Sequence, residues 1–266
     1  MNIISSVLSK KRDSRSCALI PFIIAGYPSL DVTVEALHLL DKRGADIIEL
    51  GIPYADALAD GPLIQNASKA ALNQGTYIDQ VLKILEMVDG GIKAPIIIFT
   101  YYNPVLVRGV EKFIKEIAFL GAKGLIIPDL PVEETDYLIS VCSYYDIELV
   151  LFIAPNSSNH RINKILSKSP GCLYIVSSKG VTGIRDSIDT KLKTLFEDIK
   201  NRTNKLTMLG FGISTSEQVS IISKWNVDGI VMGSSFIKIL SKANDFSDVQ
   251  MLDRLGHFCY TMKSSI

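Results

Sequence analysis

Eight short apolar runs with helix-patterned segments between them, a carboxylate lodged inside the second run, and small-residue turns after the last two make an α/β barrel of eight parallel strands the fold that this sequence predicts. Strands covered by helices on both faces read as continuous hydrophobic runs, because neither face meets water. Eight such units in one chain close a sheet on itself, which gives a single-domain TIM barrel spanning residues 1–266. A doubly wound open sheet is the competing architecture. It needs a glycine-rich nucleotide fingerprint after the first strand, and Ala25-Gly26-Tyr27-Pro28-Ser29 is not one.

The first run, Ala18 to Ala25, follows Lys10-Lys11-Arg12 and superficially copies a signal peptide. It holds a proline, lacks an A-x-A site and is too short, so it suits a buried strand. Val32, Ala36, Leu39 and Leu40 carry helical spacing up to Gly44, and Ala45 to Ile52 is the second run. The next gap, Asp56 to Lys93, is the longest and leaves room for an extra loop or helix, with Val81, Leu82, Leu85 and Val88 patterned before Gly90. Pro95 to Thr100 is the third run and Gly124 to Pro128 the fourth, with Phe113, Ile114, Ile117 and Leu120 patterned before Gly121. Leu149 to Ala154, Cys172 to Ser177, Thr207 to Phe211 and Asp228 to Met232 complete the eight.

The bulk numbers suit a globular protein that takes a small-molecule ligand. Of 266 residues, 28 are Lys or Arg and 28 are Asp or Glu, which offers no basic excess for nucleic acid. No stretch approaches the ~20 apolar residues of a membrane span, so a soluble, intracellular protein is expected. Cys17, Cys142, Cys172 and Cys259 are scattered without a CxxC pair, and His38, His160 and His257 are equally dispersed. Reduced thiols and no metal site follow. His38 falls on a helical pattern and reads as a helix-surface histidine.

The chemistry gathers where strands end, the face on which such barrels hold their sites. In Ile47-Ile48-Glu49-Leu50-Gly51, a glutamate inside an apolar run must find a partner or carry a raised pKa, and a raised pKa suits proton transfer at neutral pH. Asp56 and Asp60 follow on a loop bounded by glycine and proline. Gly210-Phe211-Gly212-Ile213-Ser214 and Gly233-Ser234-Ser235 offer free backbone N–H groups where these barrels hold a phosphate, so a phosphorylated substrate is expected. Paired glycines in Ser177-Ser178-Lys179-Gly180-Val181-Thr182-Gly183 suit either a hinged lid or an ordinary turn. The aromatics of Tyr101-Tyr102-Asn103-Pro104 either wall a flat ligand or pack the rim.

Taken in order, these blocks resemble the alpha chain of tryptophan synthase. The likeness runs through Pro21-Phe22, Ala25-Gly26, Glu49 to Gln65, Thr100 to Pro104, Pro128-Asp129-Leu130-Pro131, Gly180-Val181-Thr182-Gly183, Gly210 to Ser214 and Gly233-Ser234, covering nearly the whole chain. The resemblance implies a lyase that cleaves indole-3-glycerol phosphate to indole and D-glyceraldehyde 3-phosphate. It also implies an alpha2-beta2 tetramer with a beta chain, pyridoxal phosphate being expected only on that partner and no cofactor here. It makes Glu49 the acid and base, Asp60 the acceptor of the indole N–H and Tyr174 an assistant. Phe22, Tyr102, Ile127, Ile153 and Phe211 would line the ring, and Thr182, Gly183, Gly212, Gly233 and Ser234 would hold the rest of the substrate.

Four positions depart from the family pattern: Tyr27 for an aspartate, Ala57 for a proline in the partner-facing loop, Leu63 for a threonine and Ser178 for an arginine. Ser177-Ser178 and Ala94-Pro95-Ile96 resemble cyanobacterial and plastid members, so the compartment expected is cytoplasm or plastid stroma, with plastid encoding in keeping with the absence of a transit peptide. Two other readings are a Schiff-base aldolase using Lys179, disfavoured because its polar loop leaves the amine solvated, and a non-catalytic subunit that only activates a partner, which the retained Glu49 and Asp60 oppose.

Overall fold

The eight runs become eight parallel strands: β1 (Ala18–Ile24), β2 (Ile48–Gly51), β3 (Ile96–Phe99), β4 (Gly124–Ile126), β5 (Glu148–Ile153), β6 (Leu173–Val176), β7 (Thr207–Gly210) and β8 (Gly229–Met232). They pair in sequence order, and β8 pairs back onto β1, which closes the barrel. The computed structural model describes residues 2–176, 190–210, 212–243 and 245–266. The helices described are α1 (Ile3–Asp13), α2 (Leu30–Lys42), α3 (Pro62–Asn73), α4 (Ile78–Val88), α5 (Tyr102–Arg108), α6 (Val110–Phe119), α7 (Thr135–Tyr144), α8 (Asn159–Lys168), α9 (Thr190–Arg202), α10 (Ser216–Ser223), α11 (Ser234–Leu240) and α12 (Asp248–Lys263). Most expected runs lost a residue or two at their ends; β2 lost three at its start and one at its end, and β5 begins one residue early, on Glu148. The long gap after β2, which leaves room for an extra loop or helix, holds both α3 and α4. Gly44, Gly90 and Gly121 follow α2, α4 and α6 with φ of 96°, 69° and 88°, which suits glycine at a helix end. His38 lies exposed on α2, and all four cysteines are free and buried.

The register decides which side chains face the barrel interior. Phe22 pairs with Glu49, Glu49 with Ile97, Ile97 with Gly124 and Gly124 with Glu148, and pairs of this kind share a face. Counting by twos carries that face to Phe99 and Ile126, to Phe152 and its partner Tyr174, and to Met208, Gly210 and Val231. The other face of each strand packs against the helices.

α1 closes the end of the barrel where strands begin, tied there by three acids set at strand starts. Glu148 accepts from the Ser5 hydroxyl at 2.6 Å, from Ser5 N–H at 3.1 Å and from Cys172 N–H at 2.7 Å. Asp228, 1% exposed, receives a two-pronged Arg12 guanidinium at 2.6 Å, Thr207 N–H at 2.7 Å and Lys200 at 3.4 Å. Asp46 pairs with Lys11 at 2.7 Å and with Lys263 of α12. Removing one partner of such a pair leaves a buried carboxylate short of donors. Arg12→Met is therefore expected to destabilise the fold by about 2 kcal/mol or more, read as a lower urea midpoint at unchanged slope.

Candidate active site

Glu49 sits on β2 between Ile48 and Leu50, in register with Phe22 on one side and Ile97 on the other. The alternation of β2 turns it inward. It is 1% exposed, and its Oε1 is a buried side-chain polar atom without a hydrogen-bond partner among the described residues. Burial penalises the charged form, and Glu49 is pushed from 4.5 up to about 8. At neutral pH this carboxyl holds its proton and can give it away.

Asp60 reaches the same chamber from the loop between β2 and α3. It is 5% exposed, and its Oδ2 accepts the Tyr101 hydroxyl proton at 2.9 Å. Burial raises Asp60 from 3.8 to about 6 against the opposing pull of that hydrogen bond, so it is largely ionised at neutral pH. Tyr101 in turn accepts from Ala59 N–H at 3.1 Å and stacks on Tyr54 with centroids 5.2 Å apart. Burial and the adjacent carboxylate push its phenol up, so it stays a donor. Two acids in one chamber are thus held in opposite protonation states, which divides acid work from charge stabilisation.

Tyr174 faces in from β6. Burial pushes its phenol well above the ordinary range, and the charges of Glu49 and Asp60 both add to the shift, so the three groups converge on one space. Gly210 makes room beside it: a Cβ there would lie 2.3 Å from the Tyr174 hydroxyl oxygen. Phe22 and Phe99 meet edge to face at 5.3 Å, and Phe152 stacks on Tyr174 at 4.5 Å with 27° between planes. Apolar aromatic walls around two acids fit a flat aromatic ligand.

Three expected wall residues lie elsewhere. Ile153 pairs with Ile175, one step out of phase with Phe152 and Tyr174, so it faces the helices and Phe152 takes the interior place. Ile127 is likewise one step past inward-facing Ile126, and it lines a groove outside the barrel with Leu130, Val132, Leu151 and Ile165. Tyr102 opens α5 half-exposed, its N–H donating to Asp129 Oδ1 at 2.9 Å, while its neighbour Tyr101 holds Asp60. The errors share one cause, a slip of one residue in a period of two. Counting 97, 99, 101 from the partner of Glu49 finds Phe99 and Tyr101.

The loops expected to hold phosphate come together after β7 and β8. Ser235 Oγ donates to the Ile213 carbonyl at 2.6 Å and ties one loop to the other. Gly233 sits at the N-terminus of α11 with buried Ser234 next to it, and a Cβ on Gly233 would lie 3.0 Å from Phe22. Gly212, with φ 21°, lies on the facing loop. Thr182, Gly183 and Phe211 lie outside the described residues, as do Ser178 and Lys179.

Comparison with known proteins agrees with this architecture. The family model for the tryptophan synthase alpha chain matches residues 8–266. A tryptophan synthase alpha chain of Gracilaria tenuistipitata var. liui is 60% identical over 267 residues, covering 100% of this chain and 97% of the relative. One from Trichodesmium erythraeum is 45% identical, covering 97% and 96%. Among solved structures, tryptophan synthase subunit alpha of Legionella pneumophila superposes with a TM-score of 0.90 at 32% identity, covering 100% of this chain and 98% of that one.

Proposed function

The chain belongs to the tryptophan synthase alpha chain family and cleaves indole-3-glycerol phosphate to indole and D-glyceraldehyde 3-phosphate, and from that premise we propose that Glu49, Asp60 and Tyr174 carry the chemistry. The observation that supports this assignment most is a pair of buried acids of opposite protonation state sharing one aromatic-walled chamber. Glu49 gives its proton to C3 of the indole, and the ring becomes an electron sink. The ring N–H, made more acidic by that step, donates to the Asp60 carboxylate, which stabilises the cation. Glu49, now ionised, takes the proton from the hydroxyl on the attached glycerol carbon. That O–H pair becomes the aldehyde C=O, and the C3–carbon bond pair returns to the ring. Glu49 ends protonated, as it began.

Phe22, Phe99, Phe152 and Ile126 wall the ring in this reading, with Phe211 as a further candidate. Gly212, Gly233 and Ser234 present backbone N–H groups to the phosphate, with Thr182 and Gly183 expected to complete the cover. The reaction needs no cofactor on this chain, because protonation at C3 supplies the electron sink; pyridoxal phosphate belongs on the beta chain. An alpha2-beta2 assembly with that chain is supported by a large apolar side chain left exposed on the Asp60 loop, Leu58 at 84%. No described helix is long and apolar enough to cross a membrane. Residues 1–266 act as one domain, in cytoplasm or plastid stroma.

The protonation states give a test by pH. Asp60 must be ionised, so kcat/KM is expected to rise through about 6, and Glu49 must be protonated, so it falls through about 8. Tyr101→Phe removes the hydrogen bond that holds Asp60 down, so the acid limb moves to higher pH while the alkaline limb stays. Indole release followed across pH reads both limbs, and a flat profile would remove the acid pair from the mechanism.

A further inference from the structure

Asp60 hangs on a loop, residues 52–61, that has neither strand nor helix to hold it. Its carboxylate and the Ala59 N–H are both engaged by Tyr101, so the side-chain end is fixed from the segment between β3 and α5. α3 begins at Gly61-Pro62, where the cap residue has no side chain to offer and the first helical residue has no N–H. Gln65, in the first turn of α3, reaches back to the loop. Its single amide nitrogen donates to the carbonyl of Ala57 at 3.0 Å and to the carbonyl of Asp60 at 2.9 Å. The Ala57 carbonyl also accepts from Asp60 N–H at 3.1 Å, so one side chain closes the turn that aims Asp60 inward.

We propose that Gln65 is a positioning residue for the lyase reaction, clamping the Ala57 to Asp60 turn so that the Asp60 carboxylate meets the indole N–H. This rests on the reading of Asp60 given above. A primary amide suits the task because it offers two donors from one atom. A carboxylate of the same shape would face two carbonyl oxygens with no proton to give, and methionine keeps the length and loses both bonds. Because the side-chain amide of Gln65 bonds to the Ala57 and Asp60 carbonyls, its loss is expected to act on turnover and spare substrate capture.

The test uses the full chain and indole-3-glycerol phosphate, with Gln65→Met and Gln65→Glu made alone and in an Asp60→Asn background. Gln65→Met is expected to lower kcat about tenfold, the scale of a slightly misplaced catalytic group, with KM within about twofold and the thermal midpoint little changed. Gln65→Glu is expected to lose at least as much. In the Asp60→Asn background, where residual indole release is read at high enzyme concentration, adding Gln65→Met should change nothing, since the group it positions is gone. Wild-type kcat in Gln65→Met, or an equal further loss in the Asp60→Asn background, would overturn the proposal. Wild-type turnover in Asp60→Asn alone would instead overturn the reading of Asp60 on which it stands.

Discussion

Glu49→Gln is expected to lower turnover about 1,000-fold or more while the substrate still binds, because the amide keeps the shape of the acid and cannot pass a proton. Indole release measures the first part and equilibrium titration with indole-3-glycerol phosphate the second. The same variant should be more stable than wild type at neutral pH. Glu49 has an ordinary value of 4.5 and a folded value of about 8, so between these limits the folded chain binds a proton that the unfolded chain has released. Stability then falls as pH rises through that window, and glutamine escapes the penalty. The gap in thermal midpoint between variant and wild type should widen from about pH 5 to about pH 8. Undiminished turnover, or a gap that stays constant, would mean that this carboxyl is neither the proton donor nor strained by its burial.

Asp60→Asn is expected to cost about 100- to 1,000-fold in kcat, or about 2.7–4 kcal/mol of transition-state stabilisation, the scale for losing one preorganised electrostatic contact. The asparagine still meets Tyr101 and still fits the loop, but it brings no negative charge to the ring nitrogen as the cation forms. A neutral acceptor binds the ground state nearly as well, so KM should change far less than kcat. Loss confined to KM would show that Asp60 holds substrate without taking part in the step.

The barrel was legible in the chain because continuous apolar runs have few other uses: all eight runs became strands, and the glycines that close α2, α4 and α6 marked their ends. Glu49 was legible for the same reason, as a charge where the pattern allows none. Phase was harder. In strands of three to six residues, Ile126 and Ile127, or Phe152 and Ile153, are equally apolar, and only pairing with neighbours tells which looks inward. Glu148 at the start of β5 escaped notice because its donors, Ser5 and Cys172, lie far off in sequence. The hold of Tyr101 and Gln65 on the Asp60 loop is tertiary too, and no local pattern announces it.

The ring is sewn shut by partners drawn from opposite ends of the polypeptide. β1 zips to β8, Arg12 grips Asp228, and Asp46 waits for Lys263. A ribosome delivers these partners some two hundred residues apart, so the nascent chain carries one bare strand edge through most of its synthesis. Closure therefore waits for the last strand, and until β8 arrives the edge of β1 is open to pairing with another chain.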